Sequence, residues 1–254
     1  MIASLPMYDW PEVREATDAW WHGLSRHLGL PVGLTRIADY AALWRNPSLV
    51  FSQTCGYPFT HAFRGRLKLV GTPHYAADGC VGHRYCSIVF ARAGTGIDDL
   101  RGGVAAFNNP DSMSGMLALQ LVFAPLARAG VFFAGTVETG GHRVSLAAVR
   151  RGEADVCAID SVCVAMARRH CPDELDGLVE IARSPLVPGL PYVTVAGDVA
   201  RLREGLAAAF ADPALREARA QLLLLGWSVL DPRDYDIIPD LETDMQKAGG
   251  LALP

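Results

Sequence analysis

Short apolar runs recur along the chain, and between them lie polar stretches with apolar residues every three or four positions. The runs, bounded by Gly, Pro, Asn or Ser, predict strands at residues 2–5, 49–53, 67–72, 85–92, 104–107, 154–159, 178–184 and 192–195. The periodic stretches predict helices at 11–28, 37–45, 57–63, 113–129, 143–151, 161–170, 199–210, 213–225 and 232–247. Residues 131–138 read as extended. Pro11 stands in the first turn of its helix, where a missing N–H is no loss. Strands alternating with helices of this length predict parallel sheets covered on both faces, an α/β class.

Two stretches read as crossings between lobes, residues 87–93 and the Pro-rich 185–193. The predicted architecture is therefore two doubly wound α/β lobes joined by two hinge strands. Lobe one is 1–87 plus 193–254, and lobe two is 88–192. Such a pair leaves a cleft, and open α/β sheets bind ligands at the carboxyl ends of their strands.

Composition narrows the partners. Half the residues are hydrophobic and a fifth charged, which suits a globular chain of 254 residues with a large core. A net charge of -4 and the lack of a Lys/Arg run argue against nucleic acid. No apolar stretch is long enough to span a bilayer, so no membrane insertion is expected. The N-terminal sequence has neither a basic n-region nor an apolar h-region, so a cytoplasmic location is expected, or a periplasmic one if a leader was removed. Six cysteines without a CxxC read as free thiols; in an oxidising compartment Cys80–Cys86 or Cys157–Cys163 would be the pairs to form bridges.

The densest chemistry lies at 108–115, Asn-Asn-Pro-Asp-Ser-Met-Ser-Gly, between a strand and a helix. A helix start offers unpaired N–H groups and roughly half a positive charge. Ser112 and Ser114 add hydroxyls, and Gly115 lets backbone approach a ligand, which together describe an anion site. A plain N-cap by Asp111 or Ser112 is the bland reading of the same residues. His142, after Gly140-Gly141, stands at the first turn of the next helix and suits an oxyanion as a donor. Asp160 directly follows the strand 154–159, where it is placed to accept from a ligand, or from His142, or to cap the following helix. In lobe one the strand ends carry Tyr8, Gln53, Thr54 and Tyr57, while Tyr85 and Ser87 begin the first crossing. Hydroxyls, amides and aromatics with few charges describe binding rather than reaction.

The strings NNPDSMSG, GGHRVSLAAVRRGEADVCAID and RSPLVPGLPYVT resemble the phosphate/phosphite/phosphonate-binding family of ABC-transporter substrate-binding proteins, which have type II periplasmic-binding-protein folds. The resemblance implies a small anionic ligand, an ABC permease as partner, and no cofactor. It implies that Ser112, the backbone N–H of Met113, and Ser114 hold the anion's oxygens, that His142 adds a donor, and that Tyr85 lines the cleft. Binders of aminoalkyl-phosphonates carry a carboxylate soon after the second hinge proline; here that region reads Gly189-Leu190-Pro191, so an ammonium partner is not expected. Transport and cytoplasmic sensing both fit such a protein.

Two rivals remain open on these residues. An enzyme on the same fold would use Cys55 at a helix start, or His142, although Cys55 has no base beside it in sequence. A metal site would draw on His74, Cys80, His83 and Cys86, soft ligands in an unfamiliar spacing; no metal is expected there.

Overall fold

The computed structural model describes residues 1–253. Strand β1 (Ile2–Ser4) leads through a 3-10 turn (Pro11–Val13) into α1 (Arg14–Leu28). Then come α2 (Tyr40–Arg45), β2 (Leu49–Gln53), α3 (Gly56–Thr60) and β3 (Lys68–Tyr75). A hairpin of β4 (Cys80–Val81) and β5 (Arg84–Tyr85) precedes β6 (Ser87–Arg92) and β7 (Val104–Phe107). A π turn (Met113–Leu117) opens α4 (Ala118–Phe123), which ends in a 3-10 turn (Ala124–Leu126). Next are β8 (Gly135–Glu138), α5 (His142–Arg150), β9 (Val156–Asp160), α6 (Ser161–His170), β10 (Leu178–Arg183), β11 (Val187–Pro188) and β12 (Tyr192–Thr194). Last in order are α7 (Val199–Ala211), α8 (Arg216–Gln221), β13 (Leu224–Ser228) and α9 (Ile237–Lys247).

Contacts divide the chain into two compact units. The first is Met1–Ala76 with Pro188–Tyr235; the second is Ala77–Val187 with the segment from Asp236 onward. Helix α9, assigned to lobe one from sequence, thus groups with the second unit. The Gln120 side chain donates to the Leu251 carbonyl there (3.0 Å).

In the first unit the sheet order is β1-β2-β12-β3-β13. All five residues of β2 are buried, as expected of a strand covered on both faces. Trp21 tilts against Phe51 and so fastens α1 to β2, while Trp20 meets Phe210 of α7 edge-on at 5.0 Å and Trp44 packs on Phe63. Helices α1 and α7 approach closely. A Cβ built on Gly205 would lie 2.7 Å from the His27 carbonyl oxygen and 2.9 Å from Leu28 Cα.

The second unit has the order β10-β6-β9-β7-β8. Phe123, Phe132 and Phe133 form a mutual cluster with centroids 4.9–5.0 Å apart. The Arg92 guanidinium donates to the Val149 and Ala154 carbonyls and to Asp155, whose other oxygen accepts from the Val104 N–H.

Both sheets are mixed, whereas the sequence pattern predicts parallel ones. Strand β12 runs antiparallel to β2 and β3, and β6 antiparallel to β9. Tyr192 at the start of β12 pairs with Gln53 at the end of β2, and Ser87 at the start of β6 pairs with Asp160 at the end of β9. A strand entering at the edge where its neighbour finishes can only run the other way. The expected helix over 213–225 is a second correction. Helix α8 stops at Gln221, Leu223 takes a positive φ of 58°, and 224–228 form a strand against β3.

Gly205 marks where two helix backbones touch, and this generates a test. Gly205→Ala raises helix propensity by roughly 1 kcal/mol but forces α1 and α7 apart, with an overpacking penalty of about 1–3 kcal/mol. Thermal unfolding should therefore begin at lower temperature in the variant, and an increase in Tm would contradict the close crossing.

Candidate functional site

Three parallel strands, β9, β7 and β8, end on one edge of the second unit's sheet, and each feeds the start of a helix. The turns after β7 and β8 are tied together. The Asn108 carbonyl accepts from the Gly140 N–H (2.8 Å), and the Phe107 carbonyl accepts from the Thr139 N–H (2.9 Å). Thr139 Oγ1 also lies 2.7 Å from Ser145 Oγ, which braces the turn against α5.

The helical run from Met113 to Leu126 opens with a π turn, a rare local form that recurs at functional sites. Its first long closure is from the Leu117 N–H to the Ser112 carbonyl (3.0 Å), so the amides of Met113 to Met116 lie ahead of it. Ser112 Oγ accepts from the Gly115 N–H (3.0 Å). The N-cap reading of Ser112 is therefore realised, and Ser114 stands apart from it. Ser114 Oγ is 2.9 Å from His142 Nε2 and 3.5 Å from Ser112 Oγ, joining the two helix starts. Ser112, Met113 and Ser114 are all buried.

His142 is half-buried, with Nδ1 enclosed and lacking a hydrogen bond of good geometry. Burial pushes its pKa down from 6.5 to about 4, opposed by the backbone carbonyl of Ala158. At neutral pH the imidazole is therefore uncharged. Asp160 is 1 % exposed and accepts from the Val162 N–H (2.7 Å), so it caps α6, the alternative role foreseen for it. Ser87 pairs across from Asp160, and its N–H donates to Ser184 Oγ (2.8 Å). Tyr85, buried at the end of the hairpin, pairs across from Cys80.

Of the expected ligand residues, the second unit thus holds Tyr85, Ser87, Ser112, Met113, Ser114, His142 and Asp160. Ser112, Ser114 and His142 are in direct contact or nearly so. Tyr8, Gln53, Thr54 and Tyr57 belong to the first unit. Gln53 Nε2 is committed to Tyr75 Oη and the Leu190 carbonyl, both at 3.0 Å, and Tyr8 stands edge-on to Tyr75 at 5.1 Å. Thr54 is buried, with its hydroxyl donating to the Cys55 carbonyl (3.3 Å). Tyr57 stacks on His61 with centroids 3.9 Å apart. Together with Leu5, Thr17, Trp20, Tyr192, Leu222 and Leu224, the residues Tyr8, Gln53 and Tyr75 line a small aromatic cavity of the first unit.

Asn108 escaped the sequence reading as a site residue. Its Oδ1 is buried without a partner, and a Cβ built on Gly115 would lie 1.9 Å from it, so a side chain at 115 would displace the Asn108 carboxamide. The signal was an amide directly after a strand, seven residues before a glycine.

The chemical rivals take definite places. Cys55 is the N-cap residue of α3. Cys80 Sγ sits 3.4 Å from Ser161 Oγ, and burial pushes its thiol up to about 12, an unreactive state. His74 Nε2 is bound to Ser228 Oγ (2.8 Å). Among the described residues no group of three or more His, Cys, Asp or Glu side chains is arranged to hold a metal ion, and no helix is long and apolar enough to cross a membrane.

Comparison with known proteins agrees with this architecture. Solved structures share the fold at low identity. The binding-protein component PA3383 of a phosphonate ABC transporter from Pseudomonas aeruginosa is 18 % identical, with TM-score 0.74, over 98 % of this chain and 87 % of that one. PhnD1 from Prochlorococcus marinus, in complex with methylphosphonate, is 14 % identical, with TM-score 0.74, over 97 % and 98 %. XAC2383 from Xanthomonas citri, bound to ATP, is 20 % identical, with TM-score 0.70, over 97 % of both chains. No curated protein matches the sequence. A family model described as the periplasmic substrate-binding protein of phosphonate ABC transporters matches residues 2–235. Such proteins bind a solute and are not enzymes. With the match running over nearly its whole length, the chain belongs to the phosphonate-binding family of ABC-transporter substrate-binding proteins.

Proposed function

We propose that this protein captures a small phosphonate-like oxyanion at the turn Ser112–Gly115 and presents it to an ABC permease. The observation that carries the reading is the 2.9 Å contact of Ser114 Oγ with His142 Nε2 at the opening of a helix. It brings a hydroxyl and an imidazole together at a helix start on the carboxyl edge of parallel strands, where α/β sheets bind ligands. The methylphosphonate held by PhnD1, a protein of the same fold, is the natural first probe. A periplasmic location, the second of the two considered above, fits the family description.

The segments 108–115 and 139–142 contain no Lys or Arg. Arg143, next along α5, is held by Glu174 through contacts at 3.0 Å from its Nε. An oxyanion would therefore be held by hydroxyls, amides and helix dipoles rather than by formal charge. Micromolar binding, about -8 kcal/mol, is within the reach of such groups. Rejection of other solutes follows from polarity left unpaired: a buried group without its partner costs about 1–3 kcal/mol.

The site residues supply two tests. Ser114→Ala combined with His142→Ala should weaken methylphosphonate binding at least tenfold by calorimetry, with little change in Tm of the unliganded protein; equal affinity would remove this turn from the function. The lowered pKa of His142 has a separate consequence. Because the unfolded state takes up a proton more readily than the folded one, stability falls with acidification from about pH 6.5 toward about pH 4. Between pH 7 and 5 the penalty is up to about 2 kcal/mol. The His142→Gln variant should lose less stability than the parent over that interval, and parallel pH profiles would show that the imidazole is not buried as described.

A further inference from the structure

The first unit has a cavity of about 270 Å³ at the carboxyl end of β1, lined by none of the residues of the anion turn. Its position follows from the backbone. Strand β1 is at the edge of the sheet, and the chain near Leu34 runs along its outer side. Ala3 and Leu34 form a parallel bridge there, and the Thr35 N–H donates to the Ala3 carbonyl (2.7 Å). Ser4 to Pro6, leaving the strand, make one wall; Arg14 at the start of α1 and Tyr40 at the start of α2 make others. Arg36 fixes the floor, because its guanidinium donates to Asp9 and to Asp18 (2.7 Å to the latter).

Three polar groups lining this cavity are unused. Ser4 is 1 % exposed, yet its hydroxyl makes no hydrogen bond among the described residues. Arg14 has no carboxylate partner there, and the Tyr40 hydroxyl has no hydrogen-bond partner. A buried hydroxyl left unpaired beside a cavity is a cost that a ligand oxygen removes. The charge is equally defined. Arg36 engages both oxygens of Asp9, and Asp18 lies outside the lining and is largely exposed, so solvent screens it. Arg14 is therefore the one uncompensated charge of the lining, and its planar fork of N–H groups matches a carboxylate. The remaining walls are apolar. Ile37 and Tyr40 are 41 % and 38 % exposed, and Leu34 and Pro6 lie beside them, so an occupant with an apolar body takes hydrocarbon surface out of water.

We propose that this cavity is a second ligand site, which takes a small monocarboxylate with a branched apolar body. Arg14 and the hydroxyls of Ser4 and Tyr40 receive the carboxylate, while Leu34 and Ile37 receive the body. A dianion is disfavoured, since the lining offers one free cation and the Asp9 carboxylate stands in the same cavity. An ammonium group finds no free acid, because Asp9 is held by Arg36. The volume suits a small molecule, being just below the range of drug-sized pockets, about 300–1,000 Å³. This site is independent of the oxyanion reading.

Calorimetric titration of the intact protein at neutral pH with 4-methylpentanoate tests this, with 4-methylpentanamide as the uncharged analogue and acetate as the analogue without the apolar body. The proposal expects 4-methylpentanoate to bind with a Kd of about 1 mM or less, and each analogue at least tenfold more weakly. Arg14→Gln, at an exposed position without a partner, should weaken the acid at least tenfold. Ser4→Ala should weaken it severalfold. Ser114→Ala combined with His142→Ala should leave its affinity as in the parent. No binding of 4-methylpentanoate up to about 20 mM, equal binding of the amide, or an unchanged affinity in Arg14→Gln overturns the proposal. Loss of the acid in the Ser114 and His142 double variant would put it at the anion turn and overturn the proposal as well.

Discussion

The second unit is organised around one contact, Ser114 Oγ to His142 Nε2, which links two helix starts across the ends of two adjacent parallel strands. Everything proposed of the site depends on it. A single helix start with a capping serine is an ordinary structural feature, and Ser112 is such a cap. The second hydroxyl, not used for capping and bonded instead to an imidazole from another turn, is what a cap does not require. Parallel strand direction makes this possible, because it delivers β7, β8 and β9 to the same edge, each with a helix start facing that edge.

The electrostatic character of the site follows from what lies around that contact. The imidazole is uncharged at neutral pH because burial disfavours its cationic form, and no Lys or Arg lies in the two turns. An oxyanion held there would meet dipoles and not formal charges, and dipole attraction is short-ranged and geometric. Gly115 belongs to this logic. A side chain there would overlap the Asn108 carboxamide, and the glycine is thus needed for room and not for an unusual backbone angle.

Much of this was legible in the chain. The apolar runs at 49–53 and 104–107 are strands because they pack on both faces, and the hydroxyl-glycine cluster falls where a strand becomes a helix. The string before Gly115 carried the family signal that the match over residues 2–235 establishes. Other features were not legible, for physical reasons. The leucine run at 222–225 has no period to separate helix from strand; in the fold Leu224 is buried and Leu225 is 69 % exposed, the alternation of a half-covered strand. The break that allows it, a left-handed Leu223, is rare for a branched side chain and has no sequence signature. The antiparallel entry of β6 and β12 depends on where the chain arrives, which composition does not record. Asn108 looked like one more turn residue because its distinction, an acceptor without a donor, exists only once Gly115 is folded against it.

A crystal structure of the protein grown with methylphosphonate would decide whether this turn binds the ligand. A tetrahedral group is expected there, with oxygens at about 2.7–3.2 Å from Ser114 Oγ and from an amide of the Met113–Met116 turn. Methylphosphonate density elsewhere, with that turn empty and Ser114 still closed on His142, would contradict it.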